Sequence, residues 1–561
     1  MAIIDIKDLT FTYPNQDKPA LDNISLEIQQ GEFVVICGSS GCGKTTLLNM
    51  LKPSLAPNGK KSGHISFLNQ PITSFEEKTL ASDIGFVMQN PESQIVTDKV
   101  WHELVFGLEN MGVPSQVMRR RVGEMSSFFG IQQLFRKNTA DLSGGQKQLV
   151  NLASVLVMDP KVLILDEPTS QLDPIAASEF IQTLHKLNLE LGLTIIIVEH
   201  RLEDVFPLAD KVVVMDSGEV VLVDSPRKVG ESIHLNQRAK KMEKGLPSAV
   251  RIYNGLNHTG VCPLTIKEGK GYLNKYYLPL PMSFSERVSE KISSTEAVID
   301  LKDVCFKYER NLPDILYKVN LRIKKGEIFS MLGGNGVGKS TLLSVISGQR
   351  KAYKGKVKIN QKLIKKYKDN ELYRQNLAFL LQNPQLLFIQ PTIREDYEEI
   401  AKSVGYSKDE TERLIQENLK KIGITHLIDQ HPYDLSGGEQ QKAALGKILL
   451  LKPKILLLDE PTKGMDAFSK ESFGQILKEL KDEGVTILMV THDVEFAAEY
   501  SDRCGLFFDR EVISTDQTIE FFANNTFYTT ASNRIAKQLY PEAITTNQVI
   551  ACAKESVAST S

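Results

Sequence analysis

The chain has no long hydrophobic run. Its strongest apolar stretches, residues 162–165, 194–198 and 455–458, span about five residues, whereas a membrane-spanning helix needs about 20. The sequence therefore predicts a chain that does not cross a bilayer by itself. Its short apolar runs read instead as strands of a parallel sheet buried on both faces. The first residues, Met1, Ala2, Ile3, Ile4, Asp5, Ile6, Lys7 and Asp8, include acidic side chains and no extended apolar stretch, which argues against a signal peptide. An excess of one charge is missing too. The 67 Lys and Arg nearly cancel the 69 Asp and Glu, leaving a net charge of −2, so no footprint spread along nucleic acid is expected. Cysteine is sparse: Cys37, Cys42, Cys262, Cys305, Cys504 and Cys552 are scattered without CxxC spacing. They read as free thiols of a reducing compartment rather than as metal ligands. What remains is 42% hydrophobic and 24% charged over 561 residues, enough for roughly two to four domains with substantial cores.

The chain repeats itself once. Gly38, Ser39, Ser40, Gly41, Cys42, Gly43, Lys44, Thr45 and Thr46 recur as Gly333, Gly334, Asn335, Gly336, Val337, Gly338, Lys339, Ser340 and Thr341. Ser143, Gly144, Gly145 and Gln146 recur as Ser436, Gly437, Gly438 and Glu439. Asp166 and Glu167 recur as Asp459 and Glu460, and His200 recurs as His492. Motifs repeated in one order at a nearly constant offset mean a duplicated domain. The expected division is 1–235 and 298–530 for the two copies, 236–297 for a connector and 531–561 for a C-terminal extension. The connector includes a Leu-Pro-Leu-Pro run at 278–281, which no helix continues, and reads as ordered but irregular. Residues 553–561 are small and polar and read as a frayed end.

Each motif suits phosphate chemistry. An apolar strand, a Gly-rich loop and then a helix form the context of a P-loop. Glycines let backbone N–H groups turn around phosphates, and the helix N-terminus adds its positive end. Lys44 and Lys339 would reach the β- and γ-phosphates, and the Thr45 and Ser340 hydroxyls would bind Mg²⁺. A carboxylate at the C-terminal edge of a parallel sheet points into the ligand crevice. Asp166 and Asp459 would thus hold the metal shell, while Glu167 and Glu460 would polarise the attacking water. His200 and His492 each follow a buried strand. Ser-Gly-Gly at a helix N-terminus is a second phosphate-binding device; one domain needs only one, so this one is expected to cap a nucleotide held by another domain. Cys42, inside the first loop, is expected to be shielded by bound nucleotide from thiol reagents.

These motifs resemble those of ATP-binding cassette (ABC) ATPases over nearly the whole chain. The resemblance implies an α/β fold of two P-loop NTPase cassettes. Each would have a mainly parallel sheet core, a small antiparallel β subdomain and a helical subdomain carrying the signature loop. It implies ATP hydrolysis with ATP and Mg²⁺ as cofactors. It further assigns Gln89 and Gln382 as Q-loop residues near the metal and water, Asp173 and Asp466 as D-loop residues, and Tyr13 and Tyr308 as adenine platforms. The cassettes would close head-to-tail as an internal pseudo-dimer around two ATPs, with two competent sites. Glu439, where Gln is usual, is a departure that would tune one site.

A narrower resemblance, around Gln89, Asn90, Pro91, Glu92, Ser93, Gln94, Ile95 and Val96 and around residues 106–110, is to the ATPases of energy-coupling factor (ECF) transporters. Residues 262–269 and 521–531 also resemble parts of fused members of that group. It implies an importer of a vitamin or transition-metal ion, working at the cytoplasmic face of the membrane as a peripheral subunit. Its partners would be a membrane scaffold protein and a substrate-binding membrane protein, and no nucleic acid. Ile95, Val96 and Phe106 would line one scaffold groove; Leu386, Leu387 and Phe388 would line the other. The alternatives are the ATPase of a conventional ABC importer or exporter and, less favoured, a soluble tandem-cassette factor acting on ribosomes. The proline-interrupted, mildly basic connector counts against the latter. The short distance from Lys44 to Ser143 leaves no room for the coiled coil of a DNA-repair cassette.

Overall fold

The computed structural model describes residues 2–14, 16–256, 260–279 and 296–558. It divides into two compact units, Met1–Thr265 and Ile266–Ser561. In the first, strands β1 (Ala2–Thr12), β2 (Leu21–Gln29), β4 (Lys60–Phe67) and β5 (Gln70–Pro71) form an antiparallel sheet in the order β2-β1-β4-β5. A second sheet has the order β10-β9-β3-β8-β7-β6, built from β3 (Phe33–Gly38), β6 (Ile84–Val87), β7 (Val162–Asp166), β8 (Thr194–Val198), β9 (Lys211–Asp216) and β10 (Glu219–Asp224). All its neighbours are parallel except β9 and β10.

The apolar runs explain this sheet. Residues of β3, β7 and β8 are buried without alternation, as expected of strands covered on both faces. The antiparallel sheet alternates instead: β2 reads buried, then exposed at successive positions, the mark of one solvated face. Val100, Leu104 and Leu108 form a separate core with Val150 and Ala153 of the signature helix Gly144–Leu156. That is the helical subdomain.

The second unit repeats the plan. The antiparallel order is β12-β11-β14-β15, from β11 (Ala297–Phe306), β12 (Leu316–Lys324), β14 (Lys354–Ile359) and β15 (Lys362–Leu363). The mixed sheet is β16-β17-β18-β13-β19-β20, from β13 (Ile328–Leu332), β16 (Leu377–Leu380), β17 (Ile455–Asp459), β18 (Thr486–Val490), β19 (Arg503–Phe508) and β20 (Glu511–Gln517). Here the signature helix Gly437–Leu449 joins a core with Ile393 and Tyr397.

Two sequence expectations differ from what is seen. The connector is more helical than its prolines suggested, with helices Ser248–Gly255 and Ile266–Tyr276. The first belongs to unit one, and the second packs on the helix Ala531–Ala536 of unit two, where Asn274 donates to Gln538 at 3.0 Å. Pro281 and the rest of 280–295 lie outside the described residues. The end of the chain is not frayed from 553: a helix runs Thr546–Ala558, with Val549, Cys552 and Ala553 buried as its inner stripe; 559–561 lie outside the described residues. Among the described residues no helix is long and apolar enough to cross a membrane.

Candidate functional site

Each parallel sheet delivers its polar residues to one edge. β3 ends at Gly38, a short loop follows, and the helix Lys44–Met50 begins, with Gly43 as N-cap at φ 100°. That left-handed geometry suits glycine, and a Cβ there would also meet the Ala20 carbonyl oxygen at 2.5 Å. Gly338, at φ 114°, repeats the arrangement before the helix Lys339–Ile346. Ser39, Ser40 and Gly41 complete the first loop, and Gly334, Asn335 and Gly336 the second. Lys44 is buried, and its Nζ donates to the Gly38 and Ser39 carbonyls at 2.9 Å each. Lys339 donates to Gly333 at 2.9 Å and Gly334 at 2.8 Å. Both loops are therefore held as closed rings around an ammonium.

Cys42 and Val337 occupy the same loop position but face inward. Cys42 is 4% exposed, and a Cβ on Gly38 would stand 2.6 Å from its sulfur. Burial raises its thiol pKa, with the nearby Lys44 charge working the other way. Poor reactivity follows from that burial, so protection by nucleotide would report access to the loop rather than contact with the thiol.

Asp166 and Asp459 end β7 and β17. The Thr45 hydroxyl bonds to Asp166, and Ser340 Oγ donates to Asp459 Oδ1 at 2.9 Å. Burial, then the neighbouring Glu167 charge, pushes Asp166 up to about 6. Burial does the same to Asp459, also to about 6. Asp166 Oδ1 is buried without a hydrogen-bond partner. A hydroxyl, a carboxylate costly to ionise and an orphaned oxygen make a hard oxygen set. It fits Mg²⁺, which takes one or two protein oxygens and leaves the rest to phosphate and water.

Glu167 and Glu460 follow directly, at φ 44° and 48°. A left-handed backbone is unfavourable for these residues and occurs where surrounding structure imposes it. Here a bond from each Glu amide to the next strand, Val198 or Val490, at 2.9 Å does so. Glu167 Oε1 lies 2.8 Å from His200 Nε2, and Gln89 Nε2 donates to its Oε2 at 2.8 Å. Glu460 Oε2 lies 2.7 Å from His492 Nδ1, while Lys339 Nζ stands 3.8 Å from Oε1. Burial raises Glu460, but the adjoining His492, whose amide donates to Oε2 at 3.3 Å, and the Lys339 charge outweigh it and hold the carboxyl below its ordinary value. Gln382 is exposed, as Gln89 is, but makes no side-chain hydrogen bond among the described residues.

Ser143 and Ser436 cap their helices in reciprocal boxes with Gln146 and Glu439. Gly144, Gly145, Gly437 and Gly438 form the first turns. The unusual Glu439 has a physical account. Its carboxylate accepts the Ser436 amide at 2.9 Å and the Ser436 hydroxyl at 2.6 Å, and a negative charge in the first turn suits the helix dipole. Asp173 and Asp466 cap the next helices, accepting from Ala176 and Ser469. Tyr13 and Tyr308 sit with their hydroxyls 3.0 Å from Thr46 and Thr341. The Arg350 guanidinium lies 4.5 Å from the Tyr308 ring centre, within cation–π range.

Sequence reasoning missed several groups here. Glu199, between β8 and His200, is 3% exposed and accepts the Thr169 amide at 3.0 Å. Burial raises its pKa to about 7. Thr491 stands in its place in the second cassette, so no repeat marked it. Phe388, expected at a surface groove, is 6% exposed and belongs to a core; Leu386 and Ile389 on either side are 70% and 77% exposed.

This is the architecture of a P-loop ATPase built twice in one chain. A model of the family described as ABC transporter matches residues 21–170 and 316–463, and the chain belongs to that family. It is 42% identical over 98% of both chains to a protein of Bacillus thuringiensis subsp. konkukian named "Putative ABC transporter ATP-binding protein". It is 33% identical, over 93% of both chains, to "Putative HMP/thiamine import ATP-binding protein YkoD" of Bacillus subtilis. A solved structure, cbiO1 from Clostridium perfringens, described as part of the ABC transporter complex cbiONQ, matches 43% of this chain and 99% of its own at 37% identity, with a TM-score of 0.38. The chain is an ATP-binding subunit of an ABC transporter and an ATPase whose cofactors are ATP and Mg²⁺.

Proposed function

We propose that the chain is the energy-coupling ATPase of an ECF-type importer, moving a vitamin or a transition-metal ion. The observation that carries the hydrolytic part is the convergence, in both cassettes, of a P-loop lysine, a metal-type Asp and a His-bound Glu held at positive φ. The 33% identity to a relative named for thiamine import favours an importer. The exposed apolar side chains that follow the Q-loops favour docking to a membrane scaffold: Val96, Phe106, Leu386 and Ile389 are 64%, 41%, 70% and 77% exposed. Their backbones are pinned from within. The Glu103 carboxylate accepts the Val96 and Thr97 amides, and Asp396 accepts the Ile389 amide.

In this reading Lys44 and Lys339 exchange their loop carbonyls for phosphate oxygens, and Tyr13 and Tyr308 stack on adenine. Thr45, Asp166 and Gln89, with Ser340, Asp459 and Gln382, hold Mg²⁺, which neutralises charge on the phosphates. Glu167 and Glu460 orient water and draw its proton, while His200 and His492 hold those carboxylates in place. The cassettes close head-to-tail, so that Ser143, Gly144 and Gly145 cover the nucleotide on Lys339, and Ser436, Gly437 and Gly438 cover that on Lys44. Closure moves the scaffold, and a small membrane partner binds the cargo.

The test is purification of the tagged chain from native membranes in mild detergent. Recovery of two small integral membrane proteins in an ATP-hydrolysing complex is expected. Recovery of ribosomes, or of soluble partners alone, would overturn the transport assignment and leave the ATPase standing.

A further inference from the structure

Outside the motifs, a carboxylate contact to an appended helix recurs in both units. Glu203, three residues after His200, lies on the short helix Leu202–Val205. Its Oε2 accepts the Ser248 amide at 2.8 Å and the Ser248 hydroxyl at 3.2 Å. Glu495, three residues after His492, lies on the helix Val494–Tyr500, and its Oε1 accepts the Ala531 amide at 2.7 Å. Ser248 and Ala531 are the first residues of the helices Ser248–Gly255 and Ala531–Ala536. These helices and the residues just after them are themselves a repeat: Arg251, Ile252 and Leu256 recur as Arg534, Ile535 and Leu539. Each cassette thus carries an appended helix, and in each the first N–H, unsatisfied within its own helix, is met by a carboxylate from the histidine segment.

We infer that Glu203 and Glu495 are positioning residues that tie the segment carrying His200 or His492 to an appended helix, so that the seating of that helix sets the rate of hydrolysis at Glu167 or Glu460. This rests on the roles given to His200 and His492 above. Four residues separate Val198, which holds the Glu167 amide, from Glu203, and His200 lies among them. A movement of the short helix therefore carries the imidazole with it, and a hydrogen bond of 2.8 Å weakens over a few tenths of an ångström. The anchoring differs between cassettes. Asp493 caps the second helix by accepting the Phe496 amide at 3.1 Å, whereas Arg201, in its place, provides no cap. The first site leans on its carboxylate more heavily.

The experiment measures ATP turnover in full-length chains in which only one site is active, the other carrying Glu460→Gln or Glu167→Gln. Loss of a charge-assisted bond predicts that Glu203→Ala lowers kcat about tenfold and Glu495→Ala about threefold, with KM for ATP within about twofold of the parent. Glu203→Gln keeps an acceptor and stays within about twofold of the parent. Ser248→Pro removes the N–H from the other side, at a helix position that accepts proline. Combined with Glu203→Ala it adds no further loss, because one contact is broken twice. Unchanged kcat in Glu203→Ala, or a fall that only tracks loss of folded protein by circular dichroism, overturns the inference. If His200→Ala also leaves kcat unchanged, the underlying role of the histidine fails; if it lowers kcat while Glu203→Ala does not, only the coupling to the appended helix fails.

Discussion

The two cassettes share a fold and a motif set, yet they hold the same groups by different means. In the first, Glu167 is gripped by His200 and Gln89; in the second, Glu460 is gripped by His492 with Lys339 near, and Gln382 stands apart. In the first, the Glu103 carboxylate accepts the Val96 and Thr97 amides while the Thr139 hydroxyl donates to the Thr97 carbonyl at 2.7 Å. In the second, a shorter Asp396 needs Lys447, which bonds to it and to the Leu387 carbonyl at 2.6 Å each. Duplication conserved the positions at which chemistry occurs and left the supporting contacts free to diverge. Equivalent residues therefore have unequal weights.

The largest difference should appear in stability. Lys447 and Asp396 form a buried pair with side chains 9% and 0% exposed. Lys447→Ala strands the carboxylate, and a loss of about 3–5 kcal/mol in the second cassette is expected by urea denaturation. Ser154, its counterpart, bonds among the described residues only to the Asn151 carbonyl; Ser154→Ala should cost about 1 kcal/mol or less. Equal losses would mean that the two segments are held alike.

Glu199 has no acidic counterpart in the second cassette, so pH separates the two. Its folded pKa of about 7 lies above the ordinary 4.5 because burial disfavours the charge. The protonated form fits the fold, so this contribution is fully present below pH 4.5 and is lost as pH rises to about 7. Glu199→Gln should remove that decline, on the order of 3 kcal/mol, from the first cassette's unfolding profile. An unaltered profile would show that Glu199 ionises without penalty.

A smaller, kinetic contrast lies in the Q-loops. With one site active at a time and Mg²⁺ saturating, Gln89→Ala should lower kcat about tenfold and Gln382→Ala less than about threefold, since only Gln89 bonds to its glutamate. Equal effects would place Gln382 on Glu460 during turnover.

Much of this was legible in the sequence because the motifs are local. A strand, a glycine loop and a helix start lie within one short stretch, and the apolar runs of β3, β7, β8, β13, β17 and β18 announce a sheet covered on both faces. The supports were hidden for physical reasons. The Glu203–Ser248 contact joins distant residues, and neither type marks a bond. Prolines in the connector masked two helices, and small polar residues masked the last one, which is built on a stripe of Val549, Cys552 and Ala553. Phe388 and its neighbours read alike as apolar, and only packing decided that Phe388 turns inward while Leu386 and Ile389 remain outside. Glu199 carried no repeat to distinguish it from any other charged residue.

The most direct test of the account replaces both glutamates. In Glu167→Gln with Glu460→Gln, phosphate release should fall at least about 100-fold, because the group that draws the proton from water is gone, while a fluorescent ATP analogue still binds at both sites. Turnover near the parent rate in the double variant would contradict the claim that two complete hydrolytic sites centre on these residues.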